Sequence, residues 1–253
     1  MTENVGPFKV GKVHCIDCLE AMRSLPDKCV DAIITDPPYD TKTHEGACNG
    51  FRGRAAISFA PLANLPEVVG EMLRVSRTWV VCFCALEMLG AYRDASGPSW
   101  VRSGFWRRTD GCPQFAGDRP GQPGEGIAIM HGPGKKKWNG GVKHGFWSFG
   151  WERVDRKHET QKPVALMAAL VRDFTTPESL VLDCYSGYGT TAVACYKLDR
   201  NFLGFETDPK WVEEANQRIT REHEALGKVT VIEAKRGQQI GLLAGLETQG
   251  RRT

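Results

Sequence analysis

Residues 180–206 hold the pattern that most restricts what this chain can fold into. Leu180–Cys184 is a short apolar run, Ser186-Gly-Tyr-Gly-Thr-Thr-Ala192 follows it at once, and a helical pattern then leads to a second apolar run, Phe202–Phe205. A strand that breaks at a glycine turn and reopens as a helix is the repeating unit of a parallel sheet, because parallel strands need a crossover to bring the chain back. Gly187 permits the tight turn, Gly189 lets a ligand approach the backbone, and Ala192 allows close packing of helix on strand. The helix N-terminus offers amide donors to an anion, either the pyrophosphate of a dinucleotide or the carboxylate of a methionine-derived ligand. Glu206 stands 19 residues after Gly187 at the end of the next strand, where an acid can accept both hydroxyl protons of a ribose. Asp208 is a rival, but Pro209 follows it directly and marks it as a helix cap.

The same alternation runs through the first half of the chain. Lys12–Cys15 reads as a strand that leads through Asp17 to a short helix ending near Ser24. Val30–Thr35 reads as a buried strand stopped by Asp36-Pro37-Pro38, since neither proline can donate to a ladder. A loop is expected over 40–60, a helix over 62–75, a strand over Trp79–Cys84 and a helix over 86–92. Between Gly104 and Gly150 only Gly126–Met130 is a clear strand, and glycines and tryptophans crowd the rest. A helix is expected from Pro163, with Met167, Leu170, Val171 and Phe174 on one face.

The longest apolar run, Trp79–Leu86, is far shorter than the roughly 20 residues a membrane helix needs. The first residues show neither the basic region nor the apolar segment of a secretory signal, so a cytosolic chain without membrane contact is expected. Nine cysteines (15, 18, 29, 48, 82, 84, 112, 184 and 195) lie mostly in apolar surroundings, which suits reduced thiols. Cys15 and Cys18 are alone at metal-binding spacing, with no second pair to complete a zinc site, so no metal is expected.

Asp36-Pro37-Pro38-Tyr39 closes its strand where open α/β sheets place their ligand chemistry. The residue types suit an exocyclic amino group of a nucleobase, whose lone pair is delocalised into the ring. A carboxylate at Asp36 and the carbonyl of Pro37 can accept the two amino protons and so localise that lone pair. The prolines hold the carbonyl rigid, and Tyr39 offers a face on which an extruded base can stack.

Together these residues resemble the amino-group DNA methyltransferases that use S-adenosylmethionine, in the beta-type arrangement where the catalytic motif precedes the cofactor motif. The resemblance is carried by Val13-His-Cys-Ile-Asp-Cys-Leu-Glu20, Leu25-Pro-Asp-Lys-Cys-Val-Asp-Ala-Ile-Ile-Thr-Asp-Pro-Pro-Tyr39, His158-Glu-Thr-Gln-Lys-Pro163, Val181-Leu-Asp-Cys-Tyr-Ser-Gly-Tyr-Gly-Thr-Thr191 and Asn201-Phe-Leu-Gly-Phe-Glu206. It implies a doubly wound, mostly parallel α/β sheet of seven strands, a permuted Rossmann-like methyltransferase fold with an inserted target-recognition lobe. The implied divisions are a catalytic half at 1–103, a target-recognition region at 104–157, a cofactor-binding half at 158–225 and a weakly structured tail at 226–253. Catalysis is then expected at Asp36, Pro37, Pro38 and Tyr39. S-adenosylmethionine is expected at Asp17, Cys18, Thr160, Lys162, Asp183, Ser186, Gly187, Gly189, Thr190 and Glu206. The implied partners are double-stranded DNA and a second copy of the chain. Aspartate in the first motif position favours adenine, since related cytosine enzymes usually carry Ser there; cytosine is the near alternative. A nicotinamide-dependent oxidoreductase and a catalytically silent DNA-binding module are the readings from other classes. The chain departs from the family pattern at Cys184-Tyr185, where Pro-Phe is common, at Tyr188, where a small residue is common, and at Glu159, where Pro is usual.

The formal net charge of +3 is unevenly spread. Gly132–Lys162 holds eight Lys or Arg against three acids, a local balance of +5 that leaves −2 for everything else. A basic island with interleaved aromatics suits a polyanion partner. Lys135, Lys136, Lys137, Trp138, Asn139 and Lys143, with Arg107 and Arg108, are therefore expected to contact DNA. Four of these lysines on phosphates would give a slope of log affinity against log salt of about −3.6.

Overall fold

The computed structural model describes residues 4–39, 64–111, 115, 117–152, 157 and 161–225. β1 (Asn4–Val5) and β2 (Phe8–Lys9) form a short antiparallel ribbon at the start. The main sheet has eight strands: β3 (Val13–Cys15), β4 (Ala32–Thr35), β5 (Trp79–Cys84), β6 (Trp100–Arg108), β7 (Gly124–His131), β8 (Phe146–Phe149), β9 (Leu180–Asp183) and β10 (Asn201–Glu206). Their order across the sheet is β3-β10-β9-β4-β5-β7-β6-β8. The first five of that order are parallel, β7 is antiparallel to β5 and to β6, and β8 runs parallel to β6.

The helices are α1 (Cys18–Arg23), α2 (Leu65–Val75), α3 (Leu89–Ser96), α4 (Val164–Phe174), α5 (Thr190–Tyr196) and α6 (209–225). Each start has a local cause. Asp17 caps α1 by accepting from the amides of Leu19 at 2.9 Å and Glu20 at 3.1 Å. Pro163 sits one position earlier than expected, just ahead of α4, in an extended conformation that its ring already favours. Gly189 takes a left-handed conformation, φ 75°, to open α5.

Period-two alternation in the strands separates two cores. On β4, Ala32 and Ile34 join α4, α5 and α6, while Ile33 joins α1, α2 and α3 on the opposite face. On β5, Val81 and Phe83 take the first side and Val80, Cys82 and Cys84 the second. A sheet covered on both faces needs strands apolar on both faces, which is what β4, β5 and β9 supply. Among the described residues, no helix is long and apolar enough to cross a membrane.

The sheet has eight strands and not seven, and the extra strands come from the segment in which only Gly126–Met130 read as one. β6 and β8 lack a clear apolar pattern because only part of each is buried, and β8 lies at the sheet edge with Phe146 exposed. Residues 100–149 therefore complete the main sheet through three strands, β6, β7 and β8. Trp147 fixes the edge: it is 1% exposed, and its indole N–H donates to the Asp173 carboxylate at 2.9 Å. Trp147→Ala should lower unfolding free energy by about 3–5 kcal/mol in urea titration; a loss below 1 kcal/mol would mean that β8 is not anchored by this residue.

Candidate active site

Parallel strands carry their C-terminal ends to one rim. Asp17 follows β3, Glu206 ends β10, Asp183 ends β9 and Asp36 follows β4, so the expected residues of both motifs meet there. β9 leads through α5 to β10 on one side, while β4 leads through α2 to β5 on the other. The crevice beyond β9 and β4 is thus the topological switch point, where open sheets of this kind bind ligands.

Asp183 lies at the centre of the switch. It is 4% exposed and accepts from Thr35 at 2.7 Å, Thr191 at 2.5 Å and the Tyr185 amide at 3.2 Å. One buried carboxylate thereby ties β4, the glycine turn and α5 together. Burial pushes its pKa up to about 6, against the pull of these donors. Glu206 ties the neighbouring strand to the same turn, accepting from Gly187 at 2.9 Å, Thr207 at 2.8 Å and Asp208 at 3.1 Å. Asp208 itself caps α6 through the Lys210 amide at 2.9 Å.

Gly187 has φ 48°, and a Cβ built there would meet nothing within 4 Å, so the turn backbone faces open space. At Gly189 a Cβ would press on that of Ala215 at 3.2 Å, which shows how closely α6 covers the turn. The side chain of Tyr188 turns toward α6: it is 3% exposed, its ring lies 4.5 Å from the Arg218 guanidinium, and Trp211 meets it edge-on. Ser186 and Thr190 are buried in the turn, Ser186 donating to the Asp183 carbonyl at 3.1 Å. Cys18 is buried in α1, and its thiol is pushed up to about 11 by burial. Thr160 lies outside the described residues.

Beyond β4 the chain forms a compact cluster of charges. The Lys162 ammonium lies 2.5 Å from Asp36 Oδ2 and 3.1 Å from Glu125 Oε2. The Tyr39 hydroxyl lies 2.6 Å from Glu125 Oε2 and 3.1 Å from Asp36 Oδ1. The rings of Phe83, Tyr39 and Trp106 surround the ammonium at 5.0, 5.7 and 5.8 Å. Burial raises the Asp36 carboxyl above its ordinary value, with Glu125 adding to the rise and Lys162 opposing it. Burial pushes Glu125 up as well, but Lys162, the Tyr39 hydroxyl and Arg108 outweigh it and hold that carboxyl below its ordinary value. Burial works against the Lys162 charge, and the two carboxylates overcome it. Lys162, expected beside the cofactor, is thus bonded to Asp36, and Glu125 joins the cluster without having been expected. A signal for Glu125 existed: Glu125, Ile127 and Ile129 share one face of β7, and an acid heading an apolar face is out of pattern.

The basic island is split by the sheet. β7 runs down from the rim, because Gly126 pairs with Cys84 at the end of β5 and His131 pairs with Trp79 at its start. Lys135, Lys136 and Lys137 follow His131, and Trp79 donates to the Lys137 carbonyl at 2.8 Å. They sit at the opposite edge from Asp36, about 17 Å of strand away. Asn139 caps the C-terminus of α4, donating to the Arg172 and Thr175 carbonyls at 3.2 and 2.7 Å. Lys143 pairs with Asp173, and Trp138 packs edge-on against Phe174. Arg107 and Arg108 end β6 at the rim, and the Lys157 ammonium lies 5.7 Å from the Tyr188 ring of the glycine turn. Arg153 and Arg156 lie outside the described residues.

The family model for DNA methylases matches residues 30–217. The chain is 24% identical to the type II methyltransferase M.HinfI of Haemophilus influenzae over 263 aligned residues, covering 87% of this chain and 70% of the relative. Its fold superposes on the crystal structure of the M1.HpyAVI–SAM complex with a TM-score of 0.62 and 26% identity, over 82% of this chain and 98% of the other. PvuII DNA methyltransferase, which is cytosine-N4-specific, superposes with a TM-score of 0.62 over 87% of this chain and 95% of the other; at 15% identity that likeness concerns the fold alone.

The Asp183 clasp leads to a pH-dependent stability. Its folded pKa of about 6 exceeds the ordinary 3.8, so the folded state holds this proton more tightly than the unfolded chain does. Its contribution is full below pH 3.8 and declines as pH rises through about 6, by at most about 3 kcal/mol. Between pH 4.5 and 7, urea-derived stability of the natural chain should fall relative to that of Asp183→Asn; a gap that is constant or widens with pH would refute the buried-carboxyl account.

Proposed function

Since the chain belongs to the DNA methylase family, we propose that it transfers a methyl group from S-adenosylmethionine to the exocyclic amino group of an adenine flipped out of double-stranded DNA. The observation that carries this reading is the Asp36 carboxylate at the switch point, one strand from the glycine turn and beside the Tyr39 ring. When bound beside Gly187 and Glu206, the donor would supply an electrophilic methyl carried on a cationic sulfur able to leave as a neutral thioether.

The residues present fit such a donor. Gly187 leaves open space above the turn, Glu206 ends β10 with its carboxylate at the rim, and Tyr188 is turned away under α6. Adjacent strands lie about 4.8 Å apart, so β10 and β4, two places apart, span about 10 Å. A donor with its ribose at Glu206 would reach toward Asp36. Asp36 and the Pro37 carbonyl accept hydrogen bonds from the two amino hydrogens, and Asp36 receives the single proton released after transfer. Its raised affinity for a proton suits that task. The aspartate in the first motif position supports adenine over cytosine.

DNA is then placed over the strand ends, where Arg107 is exposed, and away from Lys135, Lys136 and Lys137. Incubating the protein with labelled donor and unmethylated DNA, followed by nucleoside analysis, should label adenine; label in cytosine would change the substrate, and no label in either base would end the enzyme reading. Asp36→Ala should keep donor binding and lose transfer, and normal methylation by that variant would refute the mechanism. Arg107→Gln should flatten the salt slope of DNA binding by about 0.9, whereas changing Lys135, Lys136 and Lys137 together to Gln should leave it unaltered. The reverse result would place the duplex on the opposite edge.

A further inference from the structure

Two carboxylates and one ammonium share a small, largely enclosed volume at the rim, and methyl transfer as described above uses only one of the carboxylates. Asp36 retains 24% of its side-chain exposure, while Glu125 retains 14% and Lys162 7%. Asp36 is therefore the member most open to an entering base. Glu125 reaches the cluster from β7, on the same face as Ile127, and is bonded to both of the groups that touch Asp36.

The contacts define a conflict that Glu125 resolves. Lys162 bonds Asp36 Oδ2, and the Tyr39 hydroxyl bonds Asp36 Oδ1, so whichever Asp36 oxygen an amino group needs is already engaged. Lys162 can release Asp36 only if a second anion is within reach, because an ammonium in this aromatic enclosure cannot stay unpaired. Glu125 is that anion, 3.1 Å away, and it holds the Tyr39 hydroxyl more closely than Asp36 does.

We propose that Glu125 is a positioning residue for methyl transfer: a standing anion that takes over Lys162 and the Tyr39 hydroxyl when a base enters, so that Asp36 turns a free oxygen to the amino group. The opposed proton affinities agree with this division, Asp36 being held above its ordinary value and Glu125 below it. The assignment rests on the methyltransferase reading above.

The test is Glu125→Gln, which keeps the size and the hydrogen-bonding reach of the side chain but removes its charge. The groups facing Asp36 are Lys162, Glu125 and Tyr39, the Asp183 carboxyl at the end of the neighbouring β9, and the uncharged Cys82, Cys84 and Tyr92, with Arg108 facing Glu125. With Glu125 neutral, Lys162 stays on Asp36, whose proton affinity falls. Donor affinity measured by calorimetry should stay within about twofold. The turnover number should drop by up to about 100-fold, the scale of a misplaced reacting group, with little change in KM for DNA. The acid limb of the turnover profile should move to lower pH, and Lys162→Met should move it to higher pH. Glu125→Asp, which restores the charge, should recover part of the loss. Turnover and acid limb both unchanged in Glu125→Gln would overturn the assignment while leaving the methyltransferase reading intact, as would loss of donor binding and turnover together. Absence of transfer by the unaltered chain would overturn both.

Discussion

One hydrogen bond, from the Thr35 hydroxyl to the buried Asp183 carboxylate, joins the two halves of this fold at their seam. The halves meet where β4 lies beside β9, with chain crossovers leading away on either side. Parallel pairing aligns the strand ends, but it does not fix how the two loops that follow them are placed relative to one another. Asp183 does so by accepting from β4, from the turn and from α5 at once. The carboxylate is costly to bury, and three donors offset part of that cost. What results is a rigid corner, from which Asp36 extends on one side and Gly187 on the other.

The charge cluster built on that corner is poorly explained as a device for stability. Removing two carboxylates and an ammonium from water costs several kcal/mol per ion, and a well-packed apolar substitute is often as stable or better. Phe83, Trp106 and Trp147 show that this side of the sheet packs aromatic residues without difficulty. Charges kept in such a place are better understood through what they do to one another. Asp36 becomes the readier proton acceptor because Glu125 and burial act on it in the same direction, and Lys162 keeps the whole from being a pair of repelling acids.

How much of this could be read from the sequence depended on how evenly each segment is buried. β5 matched its expected range, Trp79–Cys84, because every residue in it is buried and nothing blurs the pattern. The glycine turn and Asp36-Pro37-Pro38-Tyr39 were legible because their chemistry demands particular residues at fixed spacing. β6 was missed: in Trp-Val-Arg-Ser-Gly-Phe-Trp-Arg-Arg only Gly104 and Trp106 are buried, and three arginines interrupt it. β8 was missed for the related reason that its pairing partner, and not its own composition, makes it a strand. Glu125 lies just outside the expected strand Gly126–Met130, so the out-of-pattern acid on the face of Ile127 is seen only once the strand is extended back to Gly124.

The basic island shows why closeness in sequence is a weak guide to a shared surface. Its lysines at 135–143 and its described cations Lys157 and Lys162 are separated by a single strand, β8, and that strand is enough to carry the chain from one end of the strands to the other. Charges at the two ends face different solvent, and at about 0.15 M salt a Debye length of about 8 Å leaves little coupling across 17 Å. Within the lower group, Lys143 pairs with Asp173 and Asn139 caps the end of α4, which gives those two residues a structural role independent of nucleic acid. A count of charge along a chain therefore becomes an argument about a partner only once strand direction is known, and the direction of β7 is what favours the rim in the reading proposed above.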